Sequence, residues 1–146
     1  MFRVKQSVVA RLSKMHLTLG SPRESILLNK PVDAVTVPGV EGYFTLTHNH
    51  SLVVSQLRPG LISVKTDNQV QEFFVSDGFV FFNHNEDGTS RTDISGVEIV
   101  PVTALDKDRA VQMLAEINAS PKESDWDKTR ASLASNLLNQ VLKFAK

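Results

Sequence analysis

The chain contains no cysteine. Disulfides, thiolate zinc centres and thiol nucleophiles are thereby excluded. It also lacks an excess of either charge: sixteen Lys and Arg balance sixteen Asp and Glu over 146 residues. A groove that tracks a phosphate backbone needs clustered cationic excess, so the composition argues against nucleic acid as a partner. No apolar run approaches the ~20 residues that span a bilayer as a helix. Direct membrane insertion is not expected, and any membrane association runs through another protein. A Gly-rich phosphate-binding loop is missing. Ser76, in Val75-Ser76-Asp77-Gly78, lacks the glycine pattern of a nucleophile elbow and reads as a turn residue. No catalytic residue, cofactor or metal is therefore assigned.

What is present is one domain, or a small domain with an appendage. A chain of this length buries about two thirds of its unfolded surface without covalent staples. The first nineteen residues carry Arg3, Lys5, Arg11 and Lys14, and no acid precedes Glu24. Residues 1–13 read as a basic leader of the mitochondrial transit type or as a basic tail, two readings that composition leaves open.

From Met15 to about Val102 short apolar runs alternate with turn signals. The runs are Met15–Leu19, Ile26–Leu28, Ala34–Val37, Phe44–Leu46, Leu52–Leu57, Leu61–Lys65, Val70–Val75, Phe79–Phe82, Arg91–Ile94 and Val97–Val100. Between them stand Gly20-Ser21-Pro22, Asn29-Lys30-Pro31, Pro38-Gly39, Pro59-Gly60, Asp67-Asn68, Asp77-Gly78 and Asp87-Gly88. Many short strands at this spacing predict a sandwich or barrel. Phe73, Phe74, Phe79, Phe81 and Phe82 alternate across two adjacent strands, as core on one face and interface on the other.

At Pro101 the period changes. Thr103 is the expected N-cap of a helix, with Asp106 three residues on. Ala110, Met113, Leu114 and Ile117 share one helical face. Ser120-Pro121 closes that helix, and Ser124 or Asp125 caps the next, whose stripe is Ala134, Leu137, Leu138, Val141, Leu142 and Ala145. The expected organisation is 1–13 leader or tail, 14–102 β-sandwich, and 103–146 an antiparallel two-helix hairpin.

Three motifs punctuate the strands: Val37-Pro38-Gly39-Val40-Glu41-Gly42-Tyr43-Phe44, then Arg58-Pro59-Gly60, then Phe74-Val75-Ser76-Asp77-Gly78-Phe79-Val80. His50 stands eight residues past Gly42. In this order the series resembles the rotary ATP synthase subunit family called delta in mitochondria and epsilon in bacteria and chloroplasts. The resemblance runs from about Lys14 to the carboxyl terminus. It departs at Thr45, where members often carry Gly, and at His48-Asn49, where they carry Pro-Gly.

The resemblance implies a sandwich of about ten strands followed by the helix hairpin. It implies a non-catalytic rotor subunit at the foot of the central stalk, on the matrix side of the mitochondrial inner membrane. Its partners would be the gamma subunit, the membrane ring of c subunits and a small epsilon-type subunit. One loop end, made of Glu41, Gly42 and Tyr43 with the His48-Asn49-His50 turn, would touch the ring. The hairpin would stay folded, or extend and block ATP hydrolysis. The alternatives are a free-standing sandwich that binds other proteins and, more weakly supported, an enzyme.

Two constellations have competing readings. Leu105-Asp106-Lys107-Asp108-Arg109-Ala110 matches a short motif with which some bacterial members bind ATP, placing Asp106 and Arg109 at a phosphate. Those members add arginines along both helices, whereas this chain offers Glu116 and, in the second helix, only Arg130. A capped helix start with acids at the positive dipole end is the favoured reading. His48 and His50, alternating on a strand, would share a face, but two ligands make no zinc site, and His16 or His84 would join only by accident of folding.

Overall fold

The computed structural model describes residues 14–146; the expectation for residues 1–13 lies outside them. The chain divides into two compact units, one ending at Ile99 and one running from Val100 to Lys146.

Ten strands build the first part: β1 (Met15–Gly20), β2 (Ser25–Val32), β3 (Ala34–Gly39), β4 (Gly42–Thr47), β5 (Val53–Leu57), β6 (Gly60–Thr66), β7 (Gln69–Val75), β8 (Gly78–His84), β9 (Ser90–Gly96) and β10 (Ile99–Pro101). Their order is β10-β7-β6-β3-β5-β8-β9-β1-β2, with β4 on β3. The sheet folds over at its narrowest joint, where β3 meets β5 through the pair Gly39↔Leu57. Strict alternation, as in β1 (Met15, Leu17, Leu19) and β6 (Ile62, Val64), sends one row inward. Those rows meet Val35, Val37, Leu46, Phe73, Val80, Phe82 and Ile94 in one apolar core. The β-sandwich read from the sequence is the fold observed.

Several turn signals act differently from the sequence expectation. Asn29-Lys30-Pro31 does not end a strand: β2 runs through it, pairing Pro31 with His16 and Val32 with Met15. Asn29 instead takes a left-handed φ of 49°, and the ladder slips register between Leu17 and Leu19. A short polar side chain tolerates that conformation, so the segment is a bulge. Pro38-Gly39 is likewise strand: the reversal falls at Val40-Glu41, and Gly42 follows with φ 136°.

The second unit holds α1 (Lys107–Ala119) and α2 (Asp125–Phe144), which pack on one another. Thr103 is not the cap of α1. Residues Val102–Ala104 form a 3-10 turn, and Asp106 takes the cap, accepting from the Arg109 amide at 2.9 Å. A carboxylate one turn nearer to Arg109 satisfies an orphan amide that Thr103 is too far upstream to reach. At α2 the cap is Ser124: its hydroxyl accepts from the Asp127 amide at 3.1 Å, and Asp127 accepts from the Ser124 amide at 3.2 Å.

Candidate functional site

The three sequence motifs converge. Val40 donates its amide to the Gln56 carbonyl at 3.1 Å, and Arg58 donates to the Pro38 carbonyl at 2.9 Å. Ser76 donates to Glu98, Val97 donates to Asp77, and Gly60 opposes Val75. One end of the sandwich is thus stitched from the Val40-Glu41 turn, Arg58-Pro59-Gly60 and Ser76-Asp77.

Tyr43 lies across this stitching. Its hydroxyl accepts from the Leu61 amide at 3.1 Å, and the Arg58 guanidinium sits 5.8 Å from its ring centre. A Cβ at Gly60 would stand 2.6 Å from that hydroxyl and 2.8 Å from Pro38 Cβ. Gly60 is therefore glycine because tyrosine and proline close over it. Glu41 is exposed on the turn itself.

The histidines occupy the other end of β4, so the expected ring-facing set is not one loop end. Pairing runs from Gly39↔Gly42 to Ala34↔Thr47, which separates the two turns by the full strand, roughly 17–20 Å. His48 and His50 do not lie on a strand either. The His50 amide bonds the Thr47 carbonyl at 3.0 Å and closes a turn there. His48 Nδ1 pairs with the hydroxyl of Ser90, a fully buried residue, at 2.9 Å. His84, set aside in the sequence, joins them: its Nε2 donates to the His50 carbonyl at 2.8 Å. Its ring stands edge-on to Phe82 at 5.2 Å and to His48 at 6.3 Å. The pairing of β8 with β5 brings it there, across 34 residues of sequence, and local spacing does not reveal it. Among the described residues no group of three or more His, Cys, Asp or Glu is arranged to hold a metal.

Near that end Lys14 reaches Asp67 at 2.6 Å and Asp33 at 3.5 Å. The hydrogen bond to Asp67 raises the Lys14 pKa, and the same bond lowers that of Asp67.

A second surface covers the outer face of β5 and β8. Leu52, Val54, Phe79, Phe81 and, beside them, Val97 are exposed, from 39 % for Phe81 to 67 % for Leu52 and Val54. Val54 opposes Phe81, and the Phe79 and Phe81 rings lie 6.5 Å apart. Grouped apolar side chains of this size on one face mark a contact surface rather than scatter. Pairing of β5 with β8 supplies the grouping, so the sequence showed the phenylalanines but not their companions.

In the helix pair, Asp106 is spent on the α1 cap and Arg109 pairs with Glu116 at 3.7 Å. A groove of about 350 Å³ lies at the closed end, lined by Ile117, Pro121, Lys122, Asp127 and Arg130 among others. Val111, Met113, Trp126 and Leu133 remain exposed on the helices.

The fold is a sandwich stitched at one end and followed by two amphipathic helices, and its exposed faces and turns are the candidate sites. Residues 14–86 match the family described as ATP synthase, Delta/Epsilon chain, beta-sandwich domain. The chain belongs to this ATP synthase delta/epsilon family. It is 33 % identical over 119 residues to the mitochondrial ATP synthase subunit delta' of Ipomoea batatas, covering 82 % of this chain and 58 % of that protein. It is 30 % identical to the ATP synthase epsilon chain of Symbiobacterium thermophilum, covering 84 % of this chain and 86 % of that one. A chain in the OSCP/F1/c-ring structure of the Euglena gracilis mitochondrial ATP synthase superposes with a TM-score of 0.78 at 27 % identity, over 88 % of this chain and 79 % of that one. The match spans 58–65 % of the length of the mitochondrial relatives from Ipomoea, Dictyostelium and Pisum.

Proposed function

We propose that this chain is a central-stalk rotor subunit of a mitochondrial ATP synthase, with a mechanical role and no catalytic one. The exposed apolar face of β5 and β8 carries the reading. An apolar face of this kind fits docking on the gamma subunit, and burial of Val54, Phe79 and Phe81 would hold the two together. The turns at Glu41-Gly42-Tyr43 and His48-Asn49-His50 offer a carboxylate, imidazoles and free main-chain groups for the polar loops of the c ring. A stiff sandwich fixed to both transmits torque from ring to shaft. Among the described residues no helix is long and apolar enough to cross a membrane; attachment to the matrix side of the inner membrane would then come through these partners.

The helix pair supports a second contact. Val111, Met113, Trp126 and Leu133 leave apolar surface for a small helical subunit of the epsilon type. An inhibitory hairpin that blocks hydrolysis is the competing reading.

The test is native electrophoresis of a mild detergent extract, with mass spectrometry of the bands, for wild type and Phe81→Glu. Wild type should migrate with the gamma subunit and catalytic hexamer, and Phe81→Glu should leave that band for a free species. A wild-type chain found only free would reject the rotor reading and favour a free-standing binding module.

A further inference from the structure

The sequence holds two Asp-Gly pairs, Asp77-Gly78 and Asp87-Gly88, and the fold treats them in opposite ways. After an aspartate, the next amide nitrogen can close a five-membered ring on the side-chain carboxyl, and a glycine there adds no side chain to block the approach. Whether the ring closes depends on how the fold holds nitrogen and carboxyl. Between β8 and β9 the Asp87 carboxylate is turned forward. Its Oδ1 accepts from the Thr89 hydroxyl at 2.6 Å and from the Thr89 amide at 3.0 Å. The Gly88 amide donates elsewhere, to the Asn85 carbonyl at 3.2 Å. Nitrogen and carboxyl are thus tied to different partners. The Thr89 hydroxyl bond also lowers the Asp87 pKa, with the Thr89 amide assisting, and so disfavours the acid form that ring closure needs.

Between β7 and β8 the arrangement is reversed. The Gly78 amide donates to Asp77 Oδ1 at 2.7 Å. Its N–H points at the carboxyl, so the electron pair left when that proton departs faces the carboxyl carbon, one bond beyond Oδ1. The Asp77 main-chain carbonyl accepts from the Val97 amide at 2.9 Å. That bond draws electrons from the Asp77-Gly78 peptide and makes its N–H more acidic. Asp77 is exposed, and an open hollow of about 190 Å³ bordered by Asp77, Gly78 and Ser95 lets water leave and return. A larger residue cannot shield the site. A Cβ at Gly78 would press on the Ser95 carbonyl oxygen and stand 2.8 Å from Gly96 Cα, so the packing of β8 on β9 fixes the unhindered neighbour in place.

We propose that Asp77-Gly78 is a site of spontaneous isomerisation, where Asp77 converts to isoaspartate through a cyclic imide while its turn protects Asp87-Gly88. The proposal is independent of the rotor reading. In the first step the Gly78 nitrogen bonds to the carbon of the protonated Asp77 carboxyl. The nitrogen's proton and the acid's hydroxyl leave together as water. In the second step water adds to the imide. Addition at the side-chain carbonyl restores aspartate. Addition at the main-chain carbonyl, the one polarised by Val97, breaks its bond to the Gly78 nitrogen and leaves Gly78 attached through the side chain. Nothing is oxidised or reduced, and the water lost is regained. The product main chain is longer by one methylene, about 1.5 Å, at the turn that fastens Ser76 to Glu98 and Asp77 to Val97. The new free carboxyl is a substrate for a protein carboxyl methyltransferase that recognises isoaspartate.

The experiment ages the purified full chain at about pH 5, close enough to the carboxyl range to supply the acid form. One sample is folded and one is held in urea, and each site is read by peptide mapping. Heavy-oxygen water labels every passage through the imide, and an isoaspartyl methyltransferase with a labelled methyl donor counts the product. In urea the two pairs should react alike. In the fold, Asp77 is expected to keep at least its urea rate and Asp87 to fall about tenfold below its own, since displacing a reacting pair costs rate steeply. Thr89→Ala removes the hydroxyl that turns the Asp87 carboxylate away; it should raise the Asp87 rate and leave Asp77 unchanged. Equal rates at the two sites in the fold, or a folded Asp77 slower than in urea, overturn the proposal. Heavy oxygen at Asp77 without methyl acceptance would show return to aspartate alone and overturn the assigned product.

Discussion

The sandwich and the helix pair hold themselves together by different means. In the sandwich, residues distant in sequence share one core, with Met15, Leu17, Val35, Leu46, Ile62 and Val80 fully excluded from solvent. In α1 and α2 only Ala110 and Leu138 are buried, although the helices run 13 and 20 residues. Their definition comes from local devices: an aspartate cap, a complete capping box and an i to i+4 ladder. On the proposed rotor reading, the difference suits a torque element joined in sequence to an adaptable arm. Rigidity needs a dense core that resists shear, while an arm that exchanges partners does better with stability spread over caps and faces.

The largest test sets one leucine against another. Leu46→Ala empties a site with no solvent exposure and is expected to cost about 3 kcal/mol, within the 2–5 kcal/mol seen for such cavities. Leu133→Ala trims a side chain 67 % exposed on α2 and is expected to move stability by less than about 0.5 kcal/mol. Urea denaturation of the two variants measures the gap. Equal losses would mean that the helix pair has a core of its own and that the contrast is false.

A subtler test falls on the stitched end. Gly60→Ala brings a methyl against the Tyr43 hydroxyl and Pro38, with an expected cost of about 1–3 kcal/mol. Tyr43→Phe removes the nearer obstacle along with the bond from the Leu61 amide. The double variant should therefore lose less than the sum of the singles, a coupling that a double-mutant cycle in thermal melts reads directly. Strict additivity would show that Gly60 and Tyr43 do not press on one another.

These tests also mark what the sequence could show. Alternation exposed nearly every strand, because an inward row in a two-layer fold must be apolar at period two. The motifs exposed the family, and their spacing now has a physical source: Val40, Arg58, Gly60, Ser76 and Asp77 are fastened to each other or to shared neighbours. The sites were less legible. Asn29-Lys30-Pro31 carries the composition of a turn, yet pairing with β1 overrides it. His84 meets His50, and Phe81 meets Val54, only because β5 lies beside β8. Contacts of that range leave no periodic trace. The two ends of β4 looked like one loop because sequence distance hides a strand's length.

The smallest expected effect is the most local. The Ser124 hydroxyl holds the Asp127 carboxyl below its ordinary pKa of 3.8, with the Ser124 amide assisting. A carboxylate whose pKa is lower folded than unfolded adds stability that is present above the unfolded value and is lost as pH falls through the folded one. The capping box should thus be intact at neutral pH and weaken below about pH 4. Trp126, the single tryptophan, sits in the first turn of α2 and is an ideal reporter of that event. Its fluorescence should show an acid transition in wild type that is diminished in Ser124→Ala, which also loses about 1 kcal/mol of helix stability at neutral pH. The sandwich has its own acid-sensitive pair in Lys14 and Asp67, but the cap substitution leaves that pair untouched. An acid transition at Trp126 unchanged by Ser124→Ala would place the control of α2 outside its own first turn, and the local account of the helix pair would fail.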